Sequence, residues 1–319
     1  MAPAPVLCIA FNRPDLFQRV LDACGLAGPR ELFVSIDGAR PGHPTDPQLR
    51  EQVREIASHV AWATAIHTKI SEQNLGCGLA TSSAVSWALE RHDRVIVFDD
   101  DCLPDPSFLA LCDELLERYR DDERVMHIAA TNWGASSERF GSYSYAFTAF
   151  APVWGWATWR RAWSLNDYDL DSWTRVKSSG LLRGMSIEPR MRRLLERDWQ
   201  AAQLDGGEWD QKWQYSLLRQ HGLSICPARN LVVNIGFRPD GWQLKEPDLL
   251  FGGLPLEAVG FPLRHPPEVV RNPSVDSVFT RIYWQKRGWP GRAFRWLVRN
   301  PGLNRIVRTV VRRWLLRPT

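Results

Sequence analysis

Arg94-Val95-Ile96-Val97-Phe98-Asp99-Asp100-Asp101-Cys102-Leu103-Pro104 is the stretch from which the fold is read. Val95 to Phe98 are apolar without alternation, the signature of a strand buried on both faces. The run then meets three adjacent carboxylates. Acids at the mouth of a buried strand repel one another and resist desolvation. A divalent cation removes that conflict, and carboxylate oxygens suit Mg²⁺ or Mn²⁺, which bridge to substrate phosphates. Strand alternation sends Asp99 and Asp101 to one side and Asp100 to the other. The plainer alternative is a solvated acidic turn.

Outward from this strand, the first half of the chain alternates short apolar runs with segments of helical spacing. Strands are expected at 5–11, 32–37, 65–70, 94–98 and 125–129, and helices at 15–24, 47–60, 79–90 and 108–120. Phe108, Leu111, Leu115 and Tyr119 recur every three or four residues, and Asp105-Pro106 caps that helix. The pattern is that of an α/β fold with a mostly parallel sheet covered on both sides, which binds ligands at the carboxyl ends of its strands. The second half is expected to be irregular over 132–156 and helical over 157–163, 188–203 and 209–221. A strand pair at 223–226 and 232–237 follows, and 238–275 reads as Pro- and Gly-rich surface loop. One domain over 1–275 and a helical tail over 276–319 result.

The chain has 319 residues, 44% hydrophobic and 24% charged, which excludes a disordered or collagen-like chain. Its apolar runs are strand-sized and no secretory signal is visible, so a cytoplasmic protein is expected. Six scattered cysteines without a Cys-x-x-Cys pair read as reduced thiols, and seven His show no ligand spacing. The net charge of +4 conceals a split: residues 277–319 hold 11 Lys/Arg and no acid, leaving 29 basic against 36 acidic residues elsewhere.

Two folds with similar pieces fit poorly. A dinucleotide fold needs a glycine-rich turn after its first strand, where this chain has Phe11-Asn12-Arg13-Pro14-Asp15, and Gly76-Cys77-Gly78 is followed by Thr81 rather than a third glycine. An Asp-x-Asp phosphatase would accept Asp99 and Asp101 but lacks a convincing second acidic motif.

Five motifs fall in one order: Phe11-Asn12-Arg13, Val34-Ser35-Ile36-Asp37-Gly38, Asn74-Leu75-Gly76-Cys77-Gly78, the Asp triplet and Trp209-Asp210. Together with Trp154–Trp159 and 230–237, they resemble the GT-A fold glycosyltransferases. More narrowly, the chain is similar to the inverting N-acetylglucosaminyltransferase I type and its bacterial relatives. The resemblance implies a metal-dependent inverting transferase that moves a sugar from a nucleotide-diphosphate donor, UDP-linked, to a hydroxyl of a glycan or lipid-linked glycan. It places Arg13, Asp37 and Asn74 on the nucleotide and Asp101 on Mn²⁺ or Mg²⁺. Asp99 and Asp100 would contact the metal's waters, the ribose or the transferred sugar. Asp99 stands where most members carry Glu, one methylene longer. Asp210 matches the catalytic base, with Glu208 as fallback; a carboxylate there would take the acceptor's proton. An Asp capping the following helix is the structural alternative.

Trp154, Trp156, Trp159 and Trp163 offer four indoles, flat faces of the kind that pack on sugars. Helical spacing assigns most of them to the core, with Trp154, Trp156 and Trp209 as candidates at the sugar. Asn234-Ile235-Gly236-Phe237 resembles the family's loop over the donor, without the histidine that often follows it. In the tail, Ile306, Val307, Val310, Val311, Trp314 and Leu315 form an apolar stripe flanked by Arg305, Arg308, Arg312 and Arg313. This pattern suits an anionic membrane surface at the inner face of the plasma membrane, not nucleic acid. The alternatives are a sugar nucleotidyltransferase of similar fold and a catalytically inactive membrane-peripheral protein that binds sugar nucleotides.

Overall fold

A computed structural model describes residues 2–184, 187–205, 208–237 and 254–287. The chain is an α/β protein built on an eight-stranded, mostly parallel sheet flanked by helices. Its first strands are β1 (Val6–Ala10), β2 (Arg30–Ile36), β3 (Ala63–Ile70) and β4 (Arg94–Asp99), parallel in the order β3-β2-β1-β4. The helices between them are α1 (Pro14–Gly25), α2 (Asp46–Ser58) and α3 (Gly76–Arg91). After β4 come the short β5 (Cys102–Pro104), α4 (Pro106–Arg118) and β6 (Val125–Ala129). The expected cap is present: Asp105 accepts from Ser107 N at 2.9 Å and Pro106 opens the helix.

The second half completes the sheet through nonlocal pairing. β7 (Tyr145–Thr148), β8 (Trp156–Trp159) and β9 (Leu223–Pro227) extend it to the order β3-β2-β1-β4-β8-β6-β9-β7. β8 runs antiparallel between β4 and β6. The helix expected over 157–163 is therefore strand up to Trp159, followed by the short α5 (Arg160–Trp163). Gly155 makes this possible. At φ 61, a Cβ there would stand 3.0 Å from Phe98 and 3.1 Å from Ala130, so only glycine lets the chain enter the sheet this closely.

The expected strand pair is also corrected. β9 pairs with β6 and β7, whereas β10 (Val232–Asn234) pairs antiparallel with β5 as a separate ribbon. The supposedly irregular 132–156 contains β7.

The remaining helices are α6 (Trp173–Ser179), α7 (Leu181–Gly184), α8 (Pro189–Asp205), α9 (Trp209–Arg219) and α10 (Pro273–Arg287). Three apolar clusters hold the layers. Buried residues of α1, α2 and α4 cover one sheet face, and those of α3, α5 and α9 the other. A third cluster joins α6, α8 and α10 beside β7, and α10 crosses the boundary expected at 275. The second cluster absorbs most of the central tryptophans: Trp156 lies 5.7 Å from both Trp163 and Trp209, and Trp163 4.9 Å from Trp213. No described helix is long and apolar enough to cross a membrane. The amphipathic stripe and residues 238–253 of the expected surface loop lie outside the described residues.

Candidate active site at the carboxyl end of β4

β1 and β4 are neighbours, so the turn after β1 faces the acids after β4. Arg13 sits in that turn, and its carbonyl accepts from Phe17 N at 3.0 Å as α1 begins. Its guanidinium pairs with Asp100 through Nη2 and with Asp101 Oδ2 through Nη1 at 2.7 Å. Two acids thus share one fixed cation, and burial together with Asp101 pushes Asp100 up against Arg13's opposing pull. No such partner reaches Asp99 among the described residues. Burial first, then Asp101 and Asp100, pushes its carboxyl up to about 8, while Arg13 pulls the other way and Asp210 adds to the rise.

Oxygens of Asp99 and Asp101 and the Cys102 sulfur lie within 4.8 Å of one another, the one such grouping among the described residues. Burial keeps the Cys102 thiol protonated, so the two carboxylates are the donors that count. Three acids against one guanidinium leave a surplus of negative charge, and hard oxygen donors fit Mg²⁺ or Mn²⁺. The residues present fit such an ion.

A strap closes this corner. Ile235 N donates to the Asp101 carbonyl at 2.8 Å and Asn234 Nδ2 to Asp101 Oδ1 at 3.2 Å. Gly236 N donates to Asn234 Oδ1 at 2.8 Å. A Cβ on Gly236 would overlap Asp101 Oδ2 and stand 2.9 Å from Arg13 Nη1. The β5–β10 ribbon anchors the strap, and Phe237 meets Trp154 edge-on at 5.7 Å. Trp154 is half-buried at the corner, whereas Trp156 is 1% exposed and stacked on His127. The Trp156 ring therefore serves the core, and Trp209, 7% exposed, packs beside it.

The second wall is the loop entering α3. Asp37 Oδ1 accepts from Gly38 N at 2.7 Å and Leu75 N at 2.9 Å. Its Oδ2 accepts from Gly76 N and Asn74 Nδ2, both at 3.1 Å. Four bonds fill the carboxylate, so Asp37 and Asn74 together shape this loop. Gly38 lets it close, since a Cβ there would overlap the Gln73 backbone.

Asp210 lies half-buried in the first turn of α9, where Gln211 Nε2 donates to its Oδ2 at 3.3 Å. Glu208 is the exposed N-cap of the same helix. Cys77 sits in the first turn of α3. The protein around it, then Asp99, Asp210 and Asp101, push its thiol up to about 12. All three acids thus raise the same thiol, and direct contacts join Arg13 to Asp100 and Asp101, and Asn234 to Asp101.

Sequence reasoning missed several supports. Arg40 pairs with buried Asp46 at 2.8 Å and holds that carboxyl well below its usual range, helped by Asn12 Nδ2 at 2.8 Å. Arg40 also lies over Phe11 at 5.2 Å, so this cluster braces the turn that carries Arg13. Gly78 admits Tyr168, whose hydroxyl would be 2.9 Å from a Cβ there. The glycines at 76 and 78 were visible as a motif; their packing partners, far away in sequence, were not.

No protein-family model matches the chain, and no curated protein does. Among solved structures, it is similar to a mannosyltransferase from Pyrobaculum calidifontis in complex with GDP-Man and Mn²⁺. The identity is 14% and the TM-score 0.36, over 99% of this chain and 86% of that one. It is similar to S. aureus TarS 1–349 at 12% identity and a TM-score of 0.38, over 72% of this chain and 59% of that one. A cytidylyltransferase from Leptospira borgpetersenii serovar Hardjo-bovis follows at 10% identity and a TM-score of 0.30, over 65% of this chain and 73% of that one. Likeness at this level assigns no substrate to this chain.

Proposed function

We propose that the chain is a metal-dependent, inverting glycosyltransferase that moves a sugar from a nucleotide-diphosphate donor, UDP-linked, to a hydroxyl of a glycan or lipid-linked glycan. The observation that carries this reading is the charge imbalance at the end of β4. Of three buried or half-buried acids only two pair with the one guanidinium, and oxygens of Asp99 and Asp101 lie within 4.8 Å of each other. Mn²⁺ or Mg²⁺ held by Asp101, with Asp99 beside it, would offset the charge that develops on the departing diphosphate.

The chain's own residues supply the rest. Asn234 and Gly236 close over Asp101 and restrict water at the leaving group. The loop shaped by Asp37 and Asn74 forms the nucleotide wall, and Arg13 stands at its edge. Half-buried Trp154 borders the sugar, with Trp209 packed in the core behind the start of α9. Asp210, steered by Gln211, takes the proton of the attacking hydroxyl on the side away from the diphosphate. The basic tail would bring this cleft to an anionic membrane surface and a lipid-linked acceptor, a contact read by vesicle flotation of the full chain against one ending at residue 287.

Paired substitutions test the assignment. Asp101→Asn should abolish Mn²⁺-dependent binding of a UDP-sugar, measured by titration calorimetry. Asp210→Asn should bind the same donor normally yet lose transfer by about 10²-fold or more. Unchanged nucleotide affinity in the first variant removes the metal from the reading, and normal turnover in the second moves the base to Glu208 or elsewhere.

A further inference from the structure

Both oxygens of Asp101 are engaged by the chain's own groups. Arg13 Nη1 holds Oδ2 at 2.7 Å, Asn234 Nδ2 holds Oδ1 at 3.2 Å, and the Cys102 thiol lies 3.5 Å from the same Oδ1. The Arg13 side chain is 23% exposed, that of Asp101 14% and that of Asp100 3%, so the clasp is shielded but reachable. Gly236 leaves no room to spare over Asp101 Oδ2 and Arg13. A guanidinium and a divalent cation therefore claim the same carboxylate.

We infer that Arg13 is a resident cation that occupies the Asp101 seat in the metal-free protein, so that metal binding is an exchange of one cation for another. This inference rests on the proposed metal-dependent reading. Two consequences follow from competition for one carboxylate. Arg13 stabilises the empty site by neutralising acids that burial would otherwise leave unpaired. It also weakens metal affinity, because charge-assisted contacts to Asp101 must be given up before the ion is held. The exchange releases the guanidinium beside the donor, which ties metal arrival to the availability of Arg13 for a nucleotide.

The experiment compares wild type, Arg13→Met, Arg13→Lys and Asp101→Asn, with Mn²⁺ alone as the probe. Manganese affinity is read by electron paramagnetic resonance of free Mn²⁺, and melting is followed with and without the ion. Arg13→Met should melt lower than wild type when metal-free, show a larger Mn²⁺-induced rise, and bind Mn²⁺ about tenfold tighter. Arg13→Lys, which keeps one charge but cannot grip both acids through a planar fork, should fall between the two. It reads the same competition if the Met variant fails to fold. Asp101→Asn should bind no Mn²⁺ in this range, tying the signal to this seat. Weaker or unchanged Mn²⁺ affinity in the folded Arg13 variants overturns the exchange, since the guanidinium would then support the ion or ignore it. A wild-type chain that binds no Mn²⁺ overturns the metal-dependent reading itself, a separate outcome.

Discussion

His127, a residue with no part in the proposed chemistry, makes the stability of the fold depend on pH. It is fully buried on β6, stacked on Trp156 at 5.2 Å. Its Nε2 donates to Pro152 O at 3.0 Å, and its Nδ1 accepts from Trp213 Nε1 at 3.1 Å. Both nitrogens are satisfied only in the neutral ring, and burial pulls the group down from 6.5 to about 3. Between those values the unfolded chain takes up a proton that the fold refuses. The contribution is therefore complete above pH 6.5 and is lost as pH falls towards 3, at no more than about 1.4 kcal/mol per pH unit. His127→Gln can keep both hydrogen bonds without titrating, so its urea midpoint should fall less steeply between pH 6.5 and 4. Parallel profiles for the two chains would mean that other groups govern acid unfolding. At this scale the sequence was only partly readable: the Asp triplet announced a cluster of acids at a strand end, but nothing near Arg13 revealed that it reaches acids 87 and 88 residues away.

Among elements, those ruled by local pattern were legible and those ruled by nonlocal pairing were not. β6 coincides with its expected span, and α4 starts one residue after the cap expected of Asp105. Trp156, Trp159 and Trp163 have helical spacing, yet partners on β4 and β6 and the close approach at Gly155 draw the first two into a strand. β10 read as a partner of β9, but the unpaired edge of β5 captures it and so lays 234–237 over Asp101. That ribbon is what turns a surface loop into a strap. Gly236→Ala forces a Cβ into Asp101 and against Arg13, a packing conflict that costs about 1–3 kcal/mol. Urea denaturation should register that loss, and Mn²⁺-dependent nucleotide binding should weaken with it. Wild-type stability and affinity in this variant would place the strap elsewhere in solution.

For the molecule as a whole, the third apolar cluster and the hydrogen-bond chain that ends on Asp210 both include a helix near the far end of the described chain. Val275, Val278, Phe279, Ile282 and Tyr283 of α10 are buried in the cluster shared with α6 and α8. The Tyr283 hydroxyl lies 2.7 Å from Asp198 Oδ2 and 2.8 Å from Gln211 Oε1, and Gln211 in turn donates to Asp210. A second anchor is Asp276, which accepts from Thr148 Oγ1 at 2.5 Å and from Ala149 N at 3.1 Å, and pairs with Arg271. This helix therefore supports both the core and the orientation of the proposed base, across the boundary that composition placed at 275. Burying a large apolar side chain contributes about 1.5–3 kcal/mol. Five such residues together match the 5–15 kcal/mol by which whole domains are typically stable. A chain ending at residue 272 should consequently lose cooperative thermal unfolding and expose apolar surface to a dye such as ANS. A chain ending at residue 287 keeps this helix and should still unfold cooperatively. If the shorter chain unfolds cooperatively with wild-type midpoint, the third cluster contributes little, and Asp210 is held by α9 alone.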